Sequence, residues 1–220
     1  KFLLVSGAAD IEIAKNEYFD TAKISAIVRN GNFDVNASAA ISGQNIRAVG
    51  TTDSNFNHRY KVNGSNIHIK PLLDRLGIKV AGMDQSDLTT DFTASIYSSD
   101  GKIKGDFDLN SKRGKYFVEY EQLHVSGNIE DLLEGKLAAK VDAGEIWINY
   151  QRFKNLTGDV KYENNVITLT NFKNEELYAD VAFNIKTQYA NLNAQIHGYM
   201  LYNVSKPELN LKLEKLSLNL

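Results

Sequence analysis

Apolar and polar residues alternate through almost the whole of this chain, and that constrains its fold more than any other feature. Ile11 and Ile13; Ile24, Ala26 and Val28; Phe33, Val35, Ala37 and Ala39; and Phe92, Ala94 and Ile96 each sit between polar neighbours. The pattern continues in Ile103, Gly105, Phe107 and Leu109; Leu137, Ala139 and Val141; Ile146, Ile148 and Tyr150; Ala179, Val181, Phe183 and Ile185; and Leu192, Ala194 and Ile196. Successive side chains of a strand point to opposite faces, so each run has one apolar and one wet face. Turn signals such as "RNGN", "SSDGK", "SKRGK" and "ENN" separate the runs and predict antiparallel neighbours joined by hairpins.

Helical spacing is rare. "KPLLDRLGI" predicts one short helix, with Pro71 at its first helical position, Leu72, Leu73 and Leu76 on one side and Gly77 as the stop. "NIEDLLEGK", around Leu132 and Leu133, predicts a second helical turn. The fold class is therefore all-β, with one or two short helical insertions. Many amphipathic strands with so little helical cover must hide their apolar face against a second sheet or by curling around a ligand. Many inward positions are small (Ala26, Ala37, Ala39, Ala94, Ala139, Ala179 and Ala194), which lines a channel more readily than it fills a sandwich core.

Charge and composition exclude several functions. Twenty-five Lys and Arg against 27 Asp and Glu give a net charge of -2, with no basic stripe for phosphates, so nucleic acid is not an expected partner. The absence of cysteine removes thiol chemistry and Cys-ligated zinc. No apolar run approaches the roughly 20 residues that span a bilayer as a helix. The chain opens "KFLLVSG" without Met, so its natural N-terminus is expected upstream. Four Asn-x-Ser/Thr sequons, at Asn36, Asn63, Asn155 and Asn203, read as chance in so Asn-rich a chain.

The alternation slips parity in a recurrent way. Tyr60, Val62 and Gly64 are followed by Ile67 and Ile69; Tyr116, Val118 and Tyr120 by Leu123 and Val125; Leu209, Leu211 and Leu213 by Leu216, Leu218 and Leu220. A bulge or tight bend at each slip would keep both halves on one sheet face. A Leu-Leu pair follows the first two copies, at Leu72 and Leu73 and at Leu132 and Leu133. These repeat-like units, near 60–73, 116–133 and 209–220, predict one continuous repetitive segment, 1–220, of a longer protein.

The stretches "SNIHIKPLLDRLGI", "GMDQSDLTTDFTASIYSSDGKIKGDFDLNS" and "GEIWINYQRFKNLTGDVKYENNVITLTNFK" resemble the AsmA-like superfamily of bacterial envelope proteins, and within it the TamB group of the translocation and assembly module. The likeness lies in the Leu-Leu element before a strand such as Leu88 to Ile96. It lies also in the strand of Gly158, Val160 and Tyr162 that turns into Ile167 and Leu169. The resemblance implies a long curved antiparallel sheet folded lengthwise into an open groove, a β-taco. It further implies a periplasmic location, with the parent protein anchored in the inner membrane of a diderm bacterium. Phospholipid or another acyl-chain ligand is the implied cargo, carried between the two membranes in support of outer-membrane biogenesis. An outer-membrane β-barrel protein, met through parts of the parent chain outside this sequence, is the other implied partner.

On this reading the groove is lined by Ile146, Ile148, Val160, Tyr162, Ile167, Leu169, Val181, Phe183, Ile185, Leu192 and Ile196. No catalytic residue, metal or cofactor is expected. His58, His68, His124 and His197 are scattered, and alternation puts His68 and His124 on the polar face. Asp84, Asp87 and Asp91 lack the order of a calcium loop. Glu175 and Glu176 read as solvated turn residues, and Trp147 faces away from Ile146 and Ile148. Two other readings share the pattern: a chaperone-like groove that receives nascent β-strands at its edges, and an adhesin-like module with a self-filled interior that binds protein or glycan.

Overall fold

The computed structural model describes residues 6–217, apart from 76, 78, 80–82, 117, 149, 188, 202 and 203. From residue 199 onward the description concerns the backbone and, of the side chains, Lys212 alone. Among the described residues fourteen strands form one sheet in strict chain order, each antiparallel to the next. They are β1 (Gly7–Ile13), β2 (Thr21–Arg29), β3 (Asn32–Ile41), β4 (Gln44–Thr52) and β5 (His58–His68), followed by α1 (Ile69–Arg75) and a 3-10 turn at Met83–Gln85. Then come β6 (Thr89–Ser99), β7 (Lys102–Tyr116), β8 (Val118–Asp131), β9 (Lys136–Ile148) and β10 (Gln151–Glu163). The sheet ends with β11 (Val166–Lys173), β12 (Leu177–Asn184), β13 (Tyr189–Leu201) and β14 (Val204–Ser217). Among the described residues β1 and β14 do not pair, so the sheet is unclosed.

The tightest connections follow from local chemistry. Asn30–Gly31, Ser42–Gly43, Asp100–Gly101 and Asn164–Asn165 each hold two consecutive residues at positive φ. That is the type I′ geometry whose twist matches paired strands, and it selects Asn, Asp and Gly. The "SKRGK" signal behaves differently, because β7 runs straight through Ser111–Lys115. Gly114 stands opposite Tyr120 there, and a Cβ on it would fall 2.4 Å from the Tyr120 hydroxyl. This glycine makes room for a ring rather than a reversal.

α1 forms in the predicted stretch but starts at Ile69, two residues before Pro71, with Leu76 outside the described residues; Gly77 at φ 68° ends it by donating its N–H to the Asp74 carbonyl at 3.2 Å. Leu132 and Leu133, in contrast, lie in the turn between β8 and β9 and are exposed. Asp131 accepts the N–H groups of Leu133 and Glu134, an Asx-type turn that competes successfully with a helix.

The parity slips are real backbone events. Asn66, Gln122, Asn155 and Asn171 all hold left-handed φ between 52° and 55° within or beside paired segments. Each rotates the chain so that the next apolar residue returns to the same face. Two are stabilised alike: Asp91 Oδ1 accepts the Asn66 N–H at 2.7 Å, and Asp180 Oδ1 accepts the Asn171 N–H at 2.8 Å. In β14 the register shifts by one residue between Leu213 and Leu216. Leu218 and Leu220 of that closing alternation lie outside the described residues.

Candidate binding groove

Residues directly opposite on paired strands share a face, so the register traces the apolar face from strand to strand. One row runs Val62, Ala94, Phe107, Gly127, Ala139, Val160, Leu169, Val181 and Leu192. A neighbouring row contains Tyr60, Ile96, Gly105, Ile129, Leu137, Tyr162, Ile167 and Phe183. The opposite face carries Lys, Arg, Asp and Glu, paired for example as Lys161–Glu163 at 2.8 Å and Arg152–Glu145 at 3.5 Å.

Among the described residues no second layer covers the apolar face, yet Phe153, Leu156 and Ile67 are 0% exposed. A single sheet can bury a side chain that fully only by curling over itself. Glycines permit the curl. A Cβ on Gly105 would sit 2.1 Å from the Ser95 carbonyl oxygen, and one on Gly127 2.1 Å from the Ala138 carbonyl oxygen. Both contacts are with backbone, which only glycine lets approach so closely.

Burial is graded along β2, β3, β5, β9 and β10. At one flank Tyr120, Ile146, Phe153, Leu156, Leu177 and Ile196 form a closed cluster with Val141, Ala143 and Phe172. On the N-terminal strands the same flank is sealed by Ala22, Ile41 and Ile67. α1 lies nearby, where Ser42 donates to the Pro71 carbonyl at 3.2 Å and Arg75 Nη2 donates to the Asn16 carbonyl at 2.6 Å. Toward the other flank Val28, Val35, Ile96, Phe107 and Ile167 are half-exposed and Phe33 is 39% exposed, while Thr52 and Ala190 are buried there. The inner face is thus a trough sealed along one side and open along the other. The chain's accessible surface is 14520 Å², against about 10,100 Å² for a compact monomer of this mass; an unclosed trough keeps area that a packed core would remove.

The predicted lining residues fall as follows. Val160, Leu169, Val181 and Leu192 share one row and Tyr162, Ile167 and Phe183 its neighbour, all partly buried. Ile146 and Ile196 are buried in the sealed flank, and Ile148 packs partly against it. Ile185 follows the end of β12 and lies in the turn toward β13, where its N–H bonds the Asn165 carbonyl. Sequence reasoning missed the sealing pair Phe153 and Leu156. Its signal was present, a three-residue step from Phe153 to Leu156 with Asn155 between, opposite the same step from Ala143 to Ile146. It also missed that the half-exposed inner face extends over β2–β7.

On the outer face, His124 Nε2 lies 2.7 Å from Asp108 Oδ2, and Trp147 stands between Glu119 and Arg152. His68 and His197 are exposed. Lys70 bonds both Asp84 and Asp74, and these carboxylates hold its ammonium above the ordinary lysine range. Asp87 pairs through backbone with Lys115, and Glu175 and Glu176 are exposed beside a bend. Among the described residues no group of three or more His, Asp or Glu could hold a metal ion. No family model, curated protein or solved structure matches the chain.

Proposed function

We propose that this chain is a stretch of a periplasmic β-groove of the AsmA-like, TamB-type kind, and that it shelters phospholipid acyl chains in transit between two membranes. The observation that carries this reading is the apolar trough, continuous across the sheet and half-exposed along one flank, with no layer of described residues over it. From β2 to β13 it crosses eleven strand spacings, or roughly 53 Å at about 4.8 Å each. One leaflet's share of a bilayer core is about 15 Å, so the strip accommodates acyl chains at successive positions and lets them slide. Each methylene removed from water contributes about 0.8 kcal/mol. That gain is indifferent to which row position the methylene occupies, as bulk lipid handling requires. Small side chains and glycines along the rows keep the floor shallow enough for a chain to pass.

Native mass spectrometry of the protein purified from bacterial membranes, combined with organic extraction, tests the proposal. Stoichiometric phospholipid is expected on the wild type. It is expected to be lost in Phe183→Asp, which puts a charge on a half-exposed inner row while circular dichroism checks that the sheet is retained. A lipid-free protein with a cooperative melt, or a folded Phe183→Asp variant that keeps its lipid, overturns the reading.

A further inference from the structure

The inner face is apolar or glycine along its two central rows, and its polar interruptions differ in how they are satisfied. On the sealed flank, Thr90 and Ser111 donate to backbone carbonyls of Asn110 and Thr89, and Ser111 meets the Tyr120 hydroxyl. Those groups are structural. On the open flank, Thr52, His58 and Tyr60 bond chiefly to one another: Thr52 Oγ1 is 2.7 Å from the Tyr60 hydroxyl and 3.0 Å from His58 Nδ1. Register puts Thr52 beside Phe33 and opposite His58, with Tyr60 next to Ile96.

Proton counting across this relay has one outcome in either direction. If Tyr60 donates to Thr52 and Thr52 to Nδ1, the imidazole keeps its proton on Nε2. If Nδ1–H donates to Thr52 and Thr52 to Tyr60, the phenol keeps its O–H. Each way, one donor is left bonded to no other described residue. Asp53, whose charge is felt at His58, accepts from the Asn55 and Asn57 N–H groups and from Asn57 Nδ2, and among the described residues no hydrogen bond joins it to His58 or Tyr60. The His58 backbone is in turn held by its N–H donating to Ser98 Oγ at 2.7 Å.

We propose that Thr52, His58 and Tyr60 form a positioning site for the polar end of a lipid, donating a hydrogen bond to a phosphate or ester oxygen while the acyl chain lies over Val35, Ile96 and Val62. The inference rests on the groove reading and adds to it the lipid's orientation, with the head at the open flank and the tail inward. A spare donor favours a negatively polarised oxygen, and the adjoining apolar strip commits that oxygen to a lipid rather than to free phosphate.

The test compares binding of a saturated lysophosphatidylcholine with binding of a long n-alkane by the wild type, His58→Phe and Thr52→Val. Loss of one hydrogen bond to a charged acceptor is expected to weaken the lysolipid roughly tenfold in both variants and to leave alkane binding unchanged. The His58 ring signals in NMR should shift with lysolipid and not with alkane. Equal lysolipid affinity in wild type and both folded variants overturns the site while leaving the groove intact. Inorganic phosphate moving the His58 signals as readily as lysolipid overturns the lipid assignment. A wild type that binds neither probe overturns the groove reading, and the site with it.

Discussion

Replacing Gly127 with alanine probes the physical cause of the trough more directly than any change to its apolar lining. Gly127 lies on β8 between Phe107 of β7 and Ala139 of β9. An added Cβ would sit 2.1 Å from the Ala138 carbonyl oxygen, 2.5 Å from the Ala139 Cα and 2.6 Å from its Cβ. Two of these three are backbone atoms of a strand paired on both sides, so no rotamer change relieves them. Restoring ordinary contact takes about 1 Å of strand displacement, and overpacking of this kind costs about 1–3 kcal/mol. With β9 fixed by β10, Gly127→Ala is expected at the upper end, near 3 kcal/mol. At about 2–4 °C per kcal/mol for a chain of this size, the melting temperature should fall by roughly 6–12 °C. Gly7→Ala is the control, since nothing lies within 4 Å of a Cβ there; it should be neutral or slightly stabilising. Thermal and urea unfolding followed by circular dichroism provide the readout. If Gly127→Ala unfolds with the wild type while Gly7→Ala behaves as stated, β8 and β9 do not approach this closely, and glycine-permitted curling is the wrong account.

Truncating the sealed flank should be costly, because Phe153 and Leu156 are fully buried in one cluster. Phe153→Ala is expected to lose about 3–5 kcal/mol and Leu156→Ala about 2–5 kcal/mol, with the double variant departing from the sum because the residues share a cavity. Chemical denaturation of the three variants checks this. Asp91 should carry a pH dependence. The Ser65 hydroxyl, then the Asn66 N–H, hold its carboxyl below the ordinary aspartate range. A depressed carboxyl stabilises above its unfolded-state value and loses that contribution as pH falls through the folded value. The stability difference between wild type and Asp91→Asn should therefore be largest near neutrality and shrink below about pH 4; urea midpoints across that range that move in parallel would contradict it.

What the sequence determined here is what local chemistry can determine. Alternation set the strands, because a period of two admits no other regular structure. Asn-Gly, Ser-Gly and Asp-Gly set the tightest hairpins, because their residues tolerate positive φ. The slips at Gly64–Ile67 and Tyr120–Leu123 were legible because a one-residue slip exchanges faces unless the backbone turns to correct it. "SKRGK" and the Leu132–Leu133 stretch misled for a shared reason. A glycine or a Leu-Leu pair has several local uses, and the partner strand chose among them: Tyr120 needed the room at Gly114, and Asp131 captured the N–H groups that a helix would have used.

Which flank is sealed and which is open could not be read from the chain. Alternation says that Val160 and Tyr162 share a face of their strand, but it is silent on how far that face curls. The curl depends on backbone approaches between strands, at Gly105 against Ser95 and Gly127 against Ala138. Whether Phe153 is buried and Phe33 exposed follows from that curvature. Hydrophobic pattern is a property of one strand at a time, whereas a trough is a property of many strands bent together, and only the tertiary structure holds that information.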